Sequence, residues 1–174
     1  MGSVDPPMRR LVLCVVLCGL ASGIAFGAVR KRIASHGIEV VVPTGWRRVR
    51  PGSDAPVTDP RTLLVVGTKG VRRRASQCQL TRYRLPPGGA VVVVVGWSSL
   101  RAAGGDTSRQ GRRPLKQLKS VRPHLMECFP GRAAVADLRL GAKPYQVNVM
   151  VGNRATAAVV SEALMVARSF NQTR

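Results

Sequence analysis

Residues 11–29, LVLCVVLCGLASGIAFGAV, carry no charge and lie between Arg9-Arg10 and Arg30-Lys31-Arg32. This run constrains the chain more than any other stretch. Nineteen residues at about 1.5 Å each make a helix of roughly 28 Å, close to the hydrocarbon thickness of a bilayer. The apolar stretch of an export signal is shorter, about 7–15 residues. Length therefore favours a retained single-pass anchor, and cleavage followed by secretion is the alternative. Ala25-Phe26-Gly27 and Ala21-Ser22-Gly23 supply the small-x-small pattern that cleavage would need. Cys14 and Cys18 each follow a leucine rather than a small residue, so they read as apolar fillers and not as lipidation sites. Gly19, Gly23 and Gly27 recur every four residues and share one helix face, on which a second helix could pack closely.

Two basic residues precede the run and three follow it, so the local count leans slightly towards a cytoplasmic C-terminal part. A short basic start nonetheless usually stays inside, which predicts an extracytoplasmic C-terminal part. The expected division is 1–32 as anchor or signal segment and 33–174 as one α+β domain.

Charge is the second constraint. Twenty-eight Lys and Arg against eight Asp and Glu give a net charge of +20. Such a field attracts polyanions, including anionic lipid headgroups, acidic cell-wall polymers and nucleic acid. Arginine with Ala, Val and Gly also accompanies GC-rich coding, which offers a compositional origin for part of the excess. The candidate anionic-partner surface is Arg72, Arg73 and Arg74 together with Arg109, Arg112, Arg113, Lys116, Lys119 and Arg122. Aromatics make up only 4% of the chain. Tyr83 and Trp97 are the only candidate stacking platforms, and neither is interleaved with the basic clusters. A specific nucleic-acid module is therefore not expected.

Along the domain, residues 33–37 read as a connector. Residues 38–42 (IEVVV) read as a first strand, ended by Pro43 and turned at Thr44-Gly45 into Trp46. Residues 47–60 read as a loop and 63–67 (LLVVG) as a second strand. Val91 to Val95 are five consecutive valines without alternation, which predicts a central strand buried on both faces. Residues 98–123 read as a basic loop with about two helical turns between Pro114 and Pro123. Residues 134–140 form a weak strand, hairpin-paired with the cleanly alternating 145–151 (YQVNVMV). Thr156 caps a helix running to about Ser169. The expected fold is thus an N-terminal transmembrane or signal helix, then an antiparallel sheet of about five strands with a C-terminal helix packed on it.

The chemistry-bearing residues are sparse. No hydrolase elbow, phosphate-binding glycine loop, dinucleotide fingerprint or zinc-ligand cluster occurs, so no cofactor or metal is expected. The eight acidic residues are scattered, and only Asp54 and Asp59 are near neighbours. His124 with Cys128 is the one Cys/His pair close in sequence, the arrangement a nucleophilic thiol would use. The competing reading pairs Cys128 with Cys78 in a disulfide, as befits an exported domain, and then no thiolate remains. Two buried free thiols would fit a cytoplasmic domain instead.

IEVVVPTGW, DPRTLLVVGT, RLPPGGAVVVVV and KPYQVNVMVG, followed by a closing helix with Ala167-Arg168-Ser169-Phe170, resemble small exported or single-pass proteins of actinobacteria whose function is not established. The resemblance covers roughly 38–170. Such relatives often carry a cysteine in the DP-x-x-L-L segment. Arg61 and Thr62 stand there in this chain, which leaves open which cysteine would pair with Cys78. A looser likeness is to small α+β domains of the photosystem-protein-like type, which open with a strand and a Pro-x-Gly-Trp turn and close with a helix ending in Ser-Phe. It implies fold rather than activity.

The functional expectation is a membrane-anchored envelope protein, non-enzymatic, whose basic domain meets a protein partner, anionic lipid or wall polymer. The alternatives are a secreted form, an envelope enzyme using Cys128 and His124, and a cytoplasm-facing polyanion binder.

Overall fold

The computed structural model describes residues 29–51, 59–74, 83–99, 102–103 and 110–173. The apolar run up to residue 28, with Cys14, Cys18 and its glycine face, lies outside them. Among the described residues no helix is long and apolar enough to cross a membrane.

The chain is mostly antiparallel sheet closed by a C-terminal helix, an α+β arrangement. The strands are β1 (Arg30–Ser35), β2 (Ile38–Pro43), β3 (Trp46–Arg48), β4 (Arg61–Thr68), β5 (Arg72–Arg73), β6 (Tyr83–Arg84) and β7 (Ala90–Gly96), then β8 (Arg122–Pro123), β9 (Arg132–Leu140), β10 (Lys143–Val151) and β11 (Asn171–Gln172). Two helices, α1 (Arg113–Lys116) and α2 (Ala157–Arg168), fall between β7 and β8 and between β10 and β11. The main sheet has six strands rather than about five, in the order β3-β4-β7-β10-β9-β8 with every neighbour antiparallel. Beside it stand a three-stranded sheet, β1-β2-β11, and the short pair β5-β6.

The five valines occupy the centre of the main sheet, between β4 and β10, and all are fully buried. Val92 and Val94 face a first core with Leu64, Val66, Val147 and Val149. That core is roofed by Ala163, Leu164, Val166 and Ala167 of α2 and by Ile38, Val40 and Val42 of β2. Val91, Val93 and Val95 face a second core with Val65, Ala133 and Met150, which is covered by loop residues Val49 and Val71 and by Tyr83 of β6. Alternation within β10 sorts Tyr145, Val147, Val149 and Val151 to the first core, as expected for its period of two.

The expected connector over 33–37 is instead the end of β1 and a tight turn. His36 and Gly37 both have positive φ (50° and 73°), the type I′ geometry that lets two twisted strands pair across two residues. Arg30, Lys31 and Arg32 are thus strand residues, in register with Pro43, Val42 and Val41. The expected loop from Arg47 likewise begins later, because Arg47 and Arg48 extend β3. Instead of the expected helix of about two turns between Pro114 and Pro123, α1 is a single turn that starts at Arg113, contains Pro114 and buries Leu115, with Leu118 just beyond it.

Side chains at both ends of α2 fasten it to the rest. Thr156 caps its start, its hydroxyl accepting from the Val159 N–H at 3.4 Å. The Trp46 indole N–H donates to Glu162 Oε2 at 3.1 Å. At the other end, β11 pairs only with Ile38 and Glu39, and the Ser169 hydroxyl takes up the next free rung, accepting from the Val41 N–H at 2.8 Å. Phe170 follows fully buried, edge-on to Tyr145 with ring centroids 5.2 Å apart. Ser169→Ala leaves the Val41 N–H without its acceptor, and is expected to lower the unfolding free energy by about 1–3 kcal/mol. Ser161→Ala, at an exposed position on the same helix, is the near-neutral control. Equal denaturation midpoints for the two variants would remove Ser169 from this role.

Candidate functional site

The structure separates the basic residues that the sequence groups. Arg72, Arg73 and Arg74 are exposed on and beside β5, whose neighbours Val71 and Tyr83 anchor it to the second core. Arg112, Arg113, Lys116, Lys119 and Arg122 are exposed around α1 and β8, where Leu115 and Leu118 anchor the segment to the first core. The two clusters therefore flank opposite faces of the main sheet and do not form one surface. Arg112 is partly committed, since its Nη2 donates to the Arg168 carbonyl at 2.7 Å, at the C-terminal end of α2 where cations are favoured. Arg109 and Cys78 lie outside the described residues.

The fold assembles a different arginine group. A cleft of about 480 Å³ opens at the start of β7, rimmed by Arg74, Arg84 and Arg154. All three are exposed, and no carboxylate lines the cleft among the described residues. Each comes from a different local cause. Arg84 lies opposite Arg72 in the β5-β6 register, a like-charge pair that is destabilising by itself and is relieved by an anion. Arg74 extends β5. Arg154 sits on the turn after β10, where its N–H donates to the Pro87 carbonyl and the Gly152 N–H donates to the Gly89 carbonyl, both at 2.9 Å. Leu85, Pro87 and Phe129 give the walls an apolar character beneath the guanidinium groups. The arrangement suits an anionic group joined to an apolar body, which Arg can bind in a planar, two-pronged way.

Arg84 and Arg154 are absent from the sequence-derived surface because Arg84 has only Arg82 near it in the chain and Arg154 has no basic neighbour. Only the β5-β6 register and the packing of the 152–154 turn on Pro87 bring them to Arg74, and neither leaves a local signal.

Cys128 also lines this cleft, with φ of 58°, and is disulfide-bonded. His124 is exposed and does not line it. Among the described residues no three His, Cys, Asp or Glu side chains gather in a way that could hold a metal ion.

The cleft wall has no spare room at Gly152. A Cβ there would stand 2.3 Å from the Pro87 carbonyl oxygen and 2.6 Å from that of Pro86, both backbone atoms. Gly152→Ala must push the turn away from the Pro86-Pro87 segment, and is expected to destabilise the chain by about 1–3 kcal/mol, read as a lower urea midpoint. Gly88→Ala, whose Cβ would meet only the Arg154 carbonyl at 3.9 Å, is the tolerated comparison.

No protein-family model, no curated protein and no solved structure matches this chain.

Proposed function

We propose that this chain is a membrane-tethered, non-enzymatic binding module whose folded part takes an anionic partner at the cleft of Arg74, Arg84 and Arg154. The observation that carries the reading is a concave site with three guanidinium groups and no carboxylate among the described residues that line it, in a chain of net charge +20. Opposite charge steers such a partner in, and the apolar walls give it somewhere to rest.

The tether is the uncharged run over residues 11–29. Arg30 opens β1 directly after it, and the Thr44 hydroxyl donates to the Val29 carbonyl at 3.1 Å, so the folded part begins where the run ends. An extracytoplasmic placement also gives the Cys128 disulfide an oxidising compartment. Cys78 is the natural partner, since it lies in the short connection between Arg74 and Tyr83, both of which border the same cleft as Cys128. Secretion after cleavage keeps the same binding role without the tether. The enzyme alternative needs a Cys128 thiolate, which the disulfide removes. Nucleic-acid binding lacks its platforms here, because Tyr83 is buried in the second core and Trp97 lies at the far end of β7.

Two measurements test the reading. Binding of the full chain to polyglutamate should weaken as salt rises. The Arg84→Glu, Arg154→Glu double variant should bind about tenfold more weakly than the parent, a change of about 1.4 kcal/mol. If Arg113→Glu with Lys116→Glu weakens binding as much, bulk charge rather than the cleft is responsible. Separately, a C-terminal topology reporter should register outside the cytoplasm, and non-reducing peptide mapping should yield a Cys78–Cys128 cross-linked peptide. A cytoplasmic reporter signal with free thiols would reverse the placement.

A further inference from the structure

A second cleft, also about 480 Å³, opens at the other end of β7, beyond Gly96. A smaller cavity of about 230 Å³ adjoins it, and Trp97 and Tyr145 border both. Trp97 is half-buried and held by its backbone N–H, which donates to the Pro144 carbonyl at 3.2 Å. Its indole N–H makes no hydrogen bond among the described residues.

The polar groups around this indole are fixed by the fold. Asp59 accepts from the Ser98 N–H at 3.0 Å and from the Ser98 hydroxyl at 2.6 Å, one bond on each carboxylate oxygen, so each oxygen keeps lone pairs to spare. A bulge in β4 takes Leu63 out of the ladder with β7, and His36 Nδ1 lies 3.0 Å from the Leu63 carbonyl. Nδ1 also lies 2.8 Å from the Ser35 hydroxyl, which accepts from Arg48 Nη2 at 2.7 Å, so either ring nitrogen can carry the proton and His36 lines the cleft as a donor or an acceptor. Arg61 and Lys143 line the same cleft as donors.

This combination excludes simple ligands. A polyanion would meet the Asp59 carboxylate, and a purely apolar molecule would leave the spare Asp59 lone pairs and the Lys143 ammonium without polar partners. A pyranose has an apolar C–H face for an aromatic ring and an equator of hydroxyls that both donate and accept. The geometry points to a saccharide-binding site at this end of the sheet. Trp97 is its platform, Asp59 its acceptor, Arg61 and Lys143 its donors and His36 a further polar contact, and the two cavities that Trp97 borders each offer room for a ring. This site shares no residue with the arginine cleft and stands or falls independently of it.

Trp46 is buried and bonded to Glu162, so a sugar-dependent change in tryptophan fluorescence reports Trp97. The full chain in a sugar-free detergent should respond saturably to cellobiose or chitobiose in the millimolar range. Trp97→Ala and Asp59→Ala, followed by saturation-transfer NMR, should each weaken binding about tenfold or more. Trp97→Phe, which keeps a ring, should retain most of it and shows that the loss in Trp97→Ala is not unfolding. The Arg84→Glu, Arg154→Glu double variant should bind the sugars as the parent does. The assignment is overturned by no saturable response to either disaccharide up to tens of millimolar, by a response to uridine alone, or by binding that survives Trp97→Ala unchanged.

Discussion

Everything in this fold follows from one strand that tolerates water on neither side. β7 is valine from Val91 to Val95, fully buried, so both of its faces must be covered. The first face has a regular solution, a helix and a three-stranded sheet whose inward residues are Ala, Leu, Ile and Val. The second has an irregular one, in which Val49, Val71 and Tyr83 close the core from loops and from a two-residue strand pair. Branched aliphatic side chains suffice for this in a chain so poor in aromatics. Irregular cover leaves gaps, and the two clefts of about 480 Å³ lie at the two ends of β7, where cover from the flanking segments thins.

The division of labour between the faces also sorts the charge. Segments that cover a core must point apolar groups inward, so their basic residues point out, and the aliphatic part of an arginine can lie along the apolar wall beneath it. At the start of β7 this produces three guanidinium groups with no carboxylate among the described lining residues. At the other end, hydrogen bonds join Ser98 to Asp59 across 39 residues and leave a mixed donor and acceptor set around an indole. One sheet thus presents two chemically distinct ends, and net charge alone would not have distinguished them.

The pattern of the chain already contained most of the scaffold. Unbroken valine marked the central strand, alternation over residues 145–151 marked its neighbour, and Thr156 with helical spacing marked α2. What escaped depends on partners distant in sequence. Arg30-Lys31-Arg32 reads as the flank of an apolar run, and becomes a strand only because β2 lies beside it across the His36-Gly37 turn. β3 and β8 are too short to carry a period, and exist as rungs against β4 and β9. Arg84 and Arg154 reach Arg74 through the β5-β6 register and one packed turn, and Asp59 reaches Ser98 across 39 residues. Local pattern encodes burial, whereas both clefts are products of topology.

The join between the apolar run and the sheet then acquires a mechanical meaning. Arg30 is both the first basic residue after the run and the first rung of β1, and Val29 is held to the β2-β3 turn by Thr44. No spacer separates them. A spanning run would therefore hold the β1-β2 end of the fold at the headgroup layer, with Arg30, Lys31 and Arg32 at the depth where anionic lipid attracts them. β1 pairs with β2, whose inner face packs under α2, so the tether would pull on the first core directly instead of through a slack linker. The module would then be displayed at a fixed height and attitude, and its two clefts would meet their partners as parts of one rigid body.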